Sequence, residues 1–163
     1  MQKKMRECGD NEIEREYWDK RQLVKKINLN SLYGAILNPG CRFFDMRIGQ
    51  SVTLSGRCIT KHMASKVNEI VAGKYDHKGE SVVYGDTDSV YFSAYKTLEK
   101  EIKDGLIPWT KDSILGLYDK ISEEVNTSFK AFMTKAFHTP ATRGEVIAAG
   151  RELVASKGLF ITK

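Results

Sequence analysis

Apolar residues recur at helical spacing in three long segments of the chain. The first predicted helix runs from Glu12 to Ile36 and the second from Gln50 to Ala72, and the third follows Pro108. Breakers follow each of them: Asn38-Pro39-Gly40 after the first, Gly73 after the second, and His138-Thr139-Pro140 after the third. The pattern therefore predicts three long helices with defined ends.

Two short runs rich in β-branched and aromatic residues flank a polar turn. Ser81–Tyr84 and Ser89–Phe92 enclose Gly85-Asp86-Thr87-Asp88, which predicts a β-hairpin. Two further short strands are predicted in the tail, at Arg143–Ala149 and Leu159–Thr162. Strands that are segregated from helices in this way indicate an α+β fold, in which helices cover one face of an antiparallel sheet.

Composition supports one packed domain. The chain has 163 residues, of which 41% are hydrophobic. Its apolar runs are a few residues long, whereas a membrane span needs about 20, and its first residues lack the apolar region of a signal peptide. The three cysteines, Cys8, Cys41 and Cys58, form no CxxC pair. They indicate reduced thiols rather than a disulfide framework or a zinc site.

The charge is unevenly distributed along the chain. The formal net charge is +5, and residues 1–78 carry 15 basic and 9 acidic groups, against 11 and 12 in residues 79–163. A basic half is typical of proteins that bind a polyanion such as nucleic acid. An ordinary solvated surface explains the same numbers equally well.

The hairpin turn is the first place with candidate chemistry. Asp86 and Asp88 lie one residue apart and repel each other unless a cation is near. Magnesium prefers such oxygen ligands, and both carboxylates point to one side if strand alternation continues through the turn. Gly85 allows close approach of another backbone or a nucleic-acid end. The alternative is an ordinary turn, because Asp and Thr bond their own backbone.

One face of the first helix is the second candidate site. Lys26, Asn30 and Tyr33 lie at i, i+4 and i+7. A cation, an amide and a phenol in a row suit a nucleoside triphosphate, whose phosphates meet the ammonium and whose base packs by the ring. Gly34 leaves room for a base pair or template strand. The alternative is a solvated helix face.

Together the two motifs resemble those of family B (alpha-like) DNA-dependent DNA polymerases, of the kind found in large tailed bacteriophages. The motifs are Lys26-x-x-x-Asn30-Ser31-Leu32-Tyr33-Gly34 and Tyr84-Gly85-Asp86-Thr87-Asp88-Ser89. The presence of both motifs in this order favours the resemblance over an ordinary turn and a solvated helix face. The resemblance implies a palm-type antiparallel sheet with packed helices, preceded by a fingers helix. Residues 1–30 would be the end of the fingers, and residues 31–163 an incomplete palm.

The resemblance also implies a role for each motif residue. Asp88 resembles the aspartate that binds both magnesium ions, and Asp86 its supporting neighbour. Lys26 resembles the lysine that holds the incoming triphosphate, with Asn30 beside it. Tyr33 resembles the tyrosine under the nascent base pair.

Further expectations follow from the same resemblance. Thr87 and Glu145 are candidate accessory residues, although Glu145 is equally well explained as a surface glutamate. The implied cofactor is Mg²⁺, as two ions in the complete enzyme. The implied partners are primer–template DNA, a deoxynucleoside triphosphate and the missing polymerase parts, without a membrane. The implied location is intracellular, in the cytoplasm of an infected bacterial host.

The chain departs from the family in what it lacks. It contains no D-x-x-S-L-Y-P motif, which supplies the second metal-binding aspartate in family members, and it stops at Lys163, about where a K-x-Y motif begins. The exonuclease, most of the fingers and the thumb are also absent. We therefore expect a polymerase piece that is inactive until completed in cis or in trans. A non-catalytic DNA-binding remnant and an unrelated α+β domain are the alternatives.

Overall fold

The computed structural model describes residues 11–144 and 146–159, except for the side chains of Thr97 and Ala141. The chain divides into two compact units, Met1–Ser55 and Gly56–Lys163. The boundary lies inside a long helix. Helices and a small two-stranded antiparallel sheet make up the described structure, so the predicted α+β class is confirmed.

The first unit contains helix α1, Glu12–Leu37, as predicted. It begins at Asn11, whose side chain accepts a hydrogen bond from Glu14 N at 3.2 Å. It ends at Asn38, at the predicted breaker. None of its residues is buried, and seven of its large hydrophobic side chains are exposed. These are Ile13, Tyr17, Leu23, Val24, Ile27, Leu29 and Leu32.

A tight connection joins α1 to the next helix. Asp45 N donates to Ile36 O at 3.0 Å, and the Asp45 side chain accepts from Arg47 N at 2.9 Å. Helix α2, Met46–Ala72, thus begins four residues before the predicted start at Gln50. It ends at Gly73, whose φ of 74° is left-handed as a helix-closing glycine requires.

The second unit is built on a small apolar core. Val67 of α2 packs with Ile121, Val125 and Phe129. These three lie on helix α4, Lys111–Phe137, which begins after Thr110 and ends at His138 as predicted. The i, i+4, i+8 spacing of the α4 residues explains why one stripe of this helix is buried.

The hairpin packs one face on this core. Strand β1, Val82–Asp86, pairs antiparallel with strand β2, Ser89–Phe92. Val82 and Phe92 contact the core cluster, and Tyr84 lies opposite Tyr91 with ring centroids 5.8 Å apart. Ser93 N extends the pairing by donating to Ser81 O at 2.8 Å.

Two features differ from the predicted elements. Helix α3, Tyr95–Lys103, was not predicted; it is a short amphipathic helix rich in Lys and Glu. The first predicted tail strand, Arg143–Ala149, is wrong in its described residues. Residues Ala141–Gly144 form a short helix, α5, and residues 146–159 contain no strand. Residues 160–162 of the last predicted strand lie outside the described residues.

The missing tail strand has a specific physical reason. Ala149 bonds through both backbone groups to one side chain, since Ala149 N donates to Asn126 Oδ1 at 2.7 Å and Asn126 Nδ2 donates to Ala149 O at 2.9 Å. Ser122 Oγ donates to the same carbonyl at 3.2 Å. Side chains of α4 therefore occupy the bonds that a neighbouring strand would make.

Candidate functional site

The hairpin turn is tighter than the sequence predicts. Gly85 and Asp86 belong to β1, Asp86 pairs with Ser89, and Thr87 and Asp88 alone form the turn. Thr87 has a φ of 45°, in the left-handed region that β-branched residues rarely adopt. Strand alternation therefore ends at Asp86, and the condition for placing both carboxylates on one side of a continuous strand is not met.

Hydroxyl groups hold the turn in place. Thr87 Oγ1 donates to Asp86 Oδ1 at 3.1 Å, and Ser89 Oγ donates to Asp86 O at 3.1 Å. A third bond comes from α2, where Thr60 Oγ1 lies 3.0 Å from Thr87 O. Asp86 is half-buried and Asp88 is exposed. The turn thus presents the Asp88 carboxylate to solvent on a bonded frame.

These two carboxylates suit part of a magnesium site. Both are hard oxygen donors, the type that magnesium prefers, and magnesium often completes its shell with water and substrate phosphates. Asp88 makes no hydrogen bond or ion pair to other described residues, so its oxygens are available. No group of three or more His, Cys, Asp or Glu that could hold a metal occurs within residues 11–144 and 146–159. The hairpin therefore offers ligands, but not a full set.

Gly85 is not required by the packing of the hairpin. A Cβ at this position would meet Ser89 O at 3.6 Å, an ordinary contact, and its φ is not left-handed. The absence of a side chain therefore leaves free space beside the two aspartates.

The second candidate site lies on α1, in the other unit. The helix is continuous through Lys26, Asn30 and Tyr33, so their spacing places them on one face. Lys26 and Asn30 are exposed. Tyr33 is half-buried, and its hydroxyl donates to Gly49 O at 3.3 Å. A Cβ at Gly34 would have no atom within 4 Å.

The two candidate accessory residues, Thr87 and Glu145, have different outcomes. Thr87 lies in the turn and bonds Asp86, as described above. Glu145 lies outside the described residues. The α1 face and the hairpin belong to separate units.

A cluster of polar side chains in the Gly56–Lys163 unit, around the buried His62 and Asn68, was not predicted from the sequence. His62 on α2 lies 2.8 Å from Tyr75 Oη through Nδ1 and 2.9 Å from Ser128 Oγ through Nε2. Asn68 is buried and bonds Lys74 O and Ser81 N. His62 and Asn68 are next to Met63 and Val67, two apolar residues of the second predicted helix. Polar residues beside apolar positions of this kind could have indicated the cluster.

No helix in the described ranges is long and apolar enough to cross a membrane. Exposed basic residues of the second unit include Arg57, Lys61, Lys74 and Lys78. These fall in the basic half that the sequence analysis identified.

Comparison with known proteins gives a consistent result. Residues 1–131 match the family model for DNA polymerase family B. The chain is 40% identical over 80 residues to a DNA-directed DNA polymerase of Escherichia phage RB69, covering 48% of this chain and 9% of that protein. The chain is also 40% identical over 82 residues to the DNA-directed DNA polymerase of Enterobacteria phage T4, and this alignment covers 48% of this chain and 9% of that protein.

A plant relative extends the match. The chain is 38% identical over 96 residues to the DNA polymerase delta catalytic subunit of Oryza sativa, covering 57% of this chain and 9% of that protein. The aligned part thus spans 9% of the length of each of these three relatives. No solved structure gives a significant match to this chain.

Proposed function

Because the chain belongs to DNA polymerase family B, we propose that it supplies part of the polymerising site for template-directed DNA synthesis. The reaction transfers a nucleotide from a deoxynucleoside triphosphate to the 3′ hydroxyl of a primer. Residues 1–30 contribute the end of the fingers, and residues 31–163 contribute most of the palm. The missing exonuclease, thumb and remaining palm and fingers act with it in cis or in trans.

The observation that carries this proposal is the Tyr84–Ser89 hairpin. Its two-residue turn exposes the Asp88 carboxylate and keeps Asp86 bonded beside it. In the proposed role, Asp88 and Asp86 hold magnesium. Magnesium held there would supply activation of the primer hydroxyl and neutralisation of charge on the leaving pyrophosphate. Hydrogen bonds already hold the turn, so little conformational entropy is lost when its carboxylates bind a metal ion.

The residues of α1 have separate roles in the proposal. The Lys26 ammonium donates to phosphate oxygens of the triphosphate, and the Asn30 amide lies beside it on the same face. Tyr33 packs under the nascent base pair, and its bond to Gly49 O holds the hydroxyl end of the ring in place. Gly34 leaves space for the base pair. Positioning and charge neutralisation account for the catalysis, with little covalent chemistry by the protein.

The basic residues have a less specific role. The positive half of the chain contacts the phosphates of primer–template DNA without reading its sequence. Discrimination between nucleotides then depends on template pairing, tested by the shape of the base pair.

The decisive experiment replaces Asp88 by asparagine in a polymerase completed with the missing family parts. We expect Asp88→Asn to reduce nucleotide incorporation by at least two orders of magnitude, because the change removes the ligand charge and keeps the side-chain shape. Primer–template binding should persist. The matched control is Asp104→Asn, which changes another exposed aspartate after α3 and should leave incorporation near the unmodified rate.

Two results would contradict the proposal. Incorporation retained by Asp88→Asn would remove the hairpin from the chemistry. Salt-sensitive DNA binding without incorporation in any completed assembly would favour a non-catalytic DNA-binding remnant instead.

A further inference from the structure

We propose that Thr60 positions the Asp88 carboxylate by fixing the peptide group that precedes it. Thr60 on α2 is 27 residues before Thr87, and its hydroxyl lies 3.0 Å from Thr87 O. That carbonyl belongs to the peptide bond between Thr87 and Asp88. Its orientation therefore sets the direction in which the backbone enters Asp88. This inference rests on the function proposed for Asp88.

The turn needs an external support because its own conformation is unfavourable. Thr87 has a φ of 45°, and a β-branched residue adopts this region only where its surroundings hold it. The hydroxyls of Thr87 and Ser89 both bond Asp86. Within residues 11–144 and 146–159, Thr60 supplies the side-chain hydrogen bond to the peptide group before Asp88.

The geometry of Thr60 itself favours this role. A threonine inside a helix commonly donates its one hydroxyl hydrogen to the carbonyl four residues earlier. Here Gly56 O lies at 3.1 Å and Thr87 O at 3.0 Å, so the hydrogen is shared with the turn. Ile59, the preceding residue, packs against the core cluster. The Thr60 hydroxyl thus lies on a part of α2 that is packed against the core.

The first test compares Thr60→Val with Thr60→Ser in the completed polymerase. Valine keeps the branched shape without the hydroxyl, whereas serine keeps the hydroxyl. We expect Thr60→Val to lower kcat roughly 3- to 10-fold, the loss of one net hydrogen bond, and to raise the Mg²⁺ concentration needed for half-maximal rate. The KM for primer–template should not change. Thr60→Ser should restore both values.

The matched control is Thr53→Val. Thr53 lies on the same helix, and among the described residues its hydroxyl bonds only Gly49 O and Gln50 O of that helix. The control should preserve both kcat and the magnesium requirement. A general loss of folded protein would lower kcat without moving the magnesium midpoint, so that midpoint separates positioning from stability.

The second test is hydrogen–deuterium exchange, which does not depend on activity. We expect the amides of Asp88 and Ser89 to exchange faster in Thr60→Val than in Thr60→Ser, while the amides of α4 remain unchanged. Faster exchange throughout α4 would show a general packing role and overturn the inference.

The two proposals fail in different ways. If Asp88→Asn abolishes incorporation but Thr60→Val matches Thr60→Ser in kinetics and exchange, Thr60 does not position the turn and the proposed function stands. If Asp88→Asn retains incorporation, the proposed function fails and the catalytic part of this inference fails with it. In that case, the exchange rates of the Asp88 and Ser89 amides still show whether Thr60 stabilises the turn.

Discussion

Acidification below pH 6.5 is expected to destabilise the Gly56–Lys163 unit through His62. Ser128 Oγ lies 2.6 Å from Val125 O, so its single hydrogen goes to that carbonyl, and it accepts from His62 Nε2. When the ring is neutral, Nδ1 carries no hydrogen and accepts from the Tyr75 hydroxyl. The ring is stacked on Phe132, with centroids 3.9 Å apart. A neutral ring therefore satisfies both hydrogen bonds, whereas in a protonated ring Nδ1 would become a donor and the Tyr75 oxygen would have to accept instead.

The sign of the effect follows from the charges around the ring. Burial lowers the pKa of His62 below its usual 6.5, the Lys66 ammonium lowers it further, and Glu69 opposes both. Above pH 6.5 both folded and unfolded states hold a neutral ring, so stability does not depend on this group. Below pH 6.5 the unfolded chain takes up a proton that the folded unit resists, and stability falls.

The magnitude is set by one proton. A single group changes the free energy of unfolding by at most about 1.4 kcal/mol for each pH unit. Between pH 7.5 and pH 5.5 we therefore expect a loss of up to about 1.4 kcal/mol relative to His62→Gln, because most of the change falls below pH 6.5. Glutamine can donate and accept hydrogen bonds but does not titrate.

The assay is urea unfolding at pH 7.5, 6.5 and 5.5, followed by Trp109 fluorescence in a Trp18→Phe background. The difference between the unmodified chain and His62→Gln cancels the titration of other groups. His138→Asn is the control, since His138 is exposed and asparagine tolerates its left-handed φ of 53°. Equal pH dependence of the unmodified chain and His62→Gln, or a gain in stability on acidification, would refute the reasoning.

Two further predictions concern Lys26 and Asn68. Lys26→Ala should raise the KM for nucleotide roughly tenfold in the completed polymerase, the loss of a charge-assisted hydrogen bond, whereas Lys25→Ala should not. An unchanged nucleotide dependence would remove Lys26 from triphosphate binding. Asn68→Ala should lower the free energy of unfolding by about 2–4 kcal/mol, because Lys74 O and Ser81 N lose their partner in a buried position. A loss below about 1 kcal/mol in urea unfolding would contradict this.

The long helices were predictable because their signals are local. The period of apolar residues and the breakers at Asn38-Pro39-Gly40 and His138 depend on neighbours in the sequence. The start of α2 was wrong by four residues because the prediction followed apolar periodicity. It overlooked Asp45, whose side chain bonds Arg47 N in the first turn.

The contacts that hold the candidate site are not local. Thr60 meets the turn across 27 residues, and His62 meets Ser128 across 66. No period or spacing in the sequence reports such pairs, since they depend on how α2 packs against the hairpin and α4. The tail strand failed for the same reason: the side chain of Asn126 takes the backbone bonds of Ala149. The motif residues could be selected from the sequence because each set occupies one turn or one helix face, and their functional roles stay predictions.

The open space at Gly34 has a consequence for engineering the protein. Glycine inside a helix costs about 1 kcal/mol relative to alanine, and α1 has room for a methyl group at this position. Folding alone would therefore be improved by alanine. In the proposed site the same methyl group would occupy the space intended for a base pair. Gly34 is thus a position where thermostability and polymerase activity are expected to trade off directly, and a screen that selects only for heat resistance would select against the enzyme.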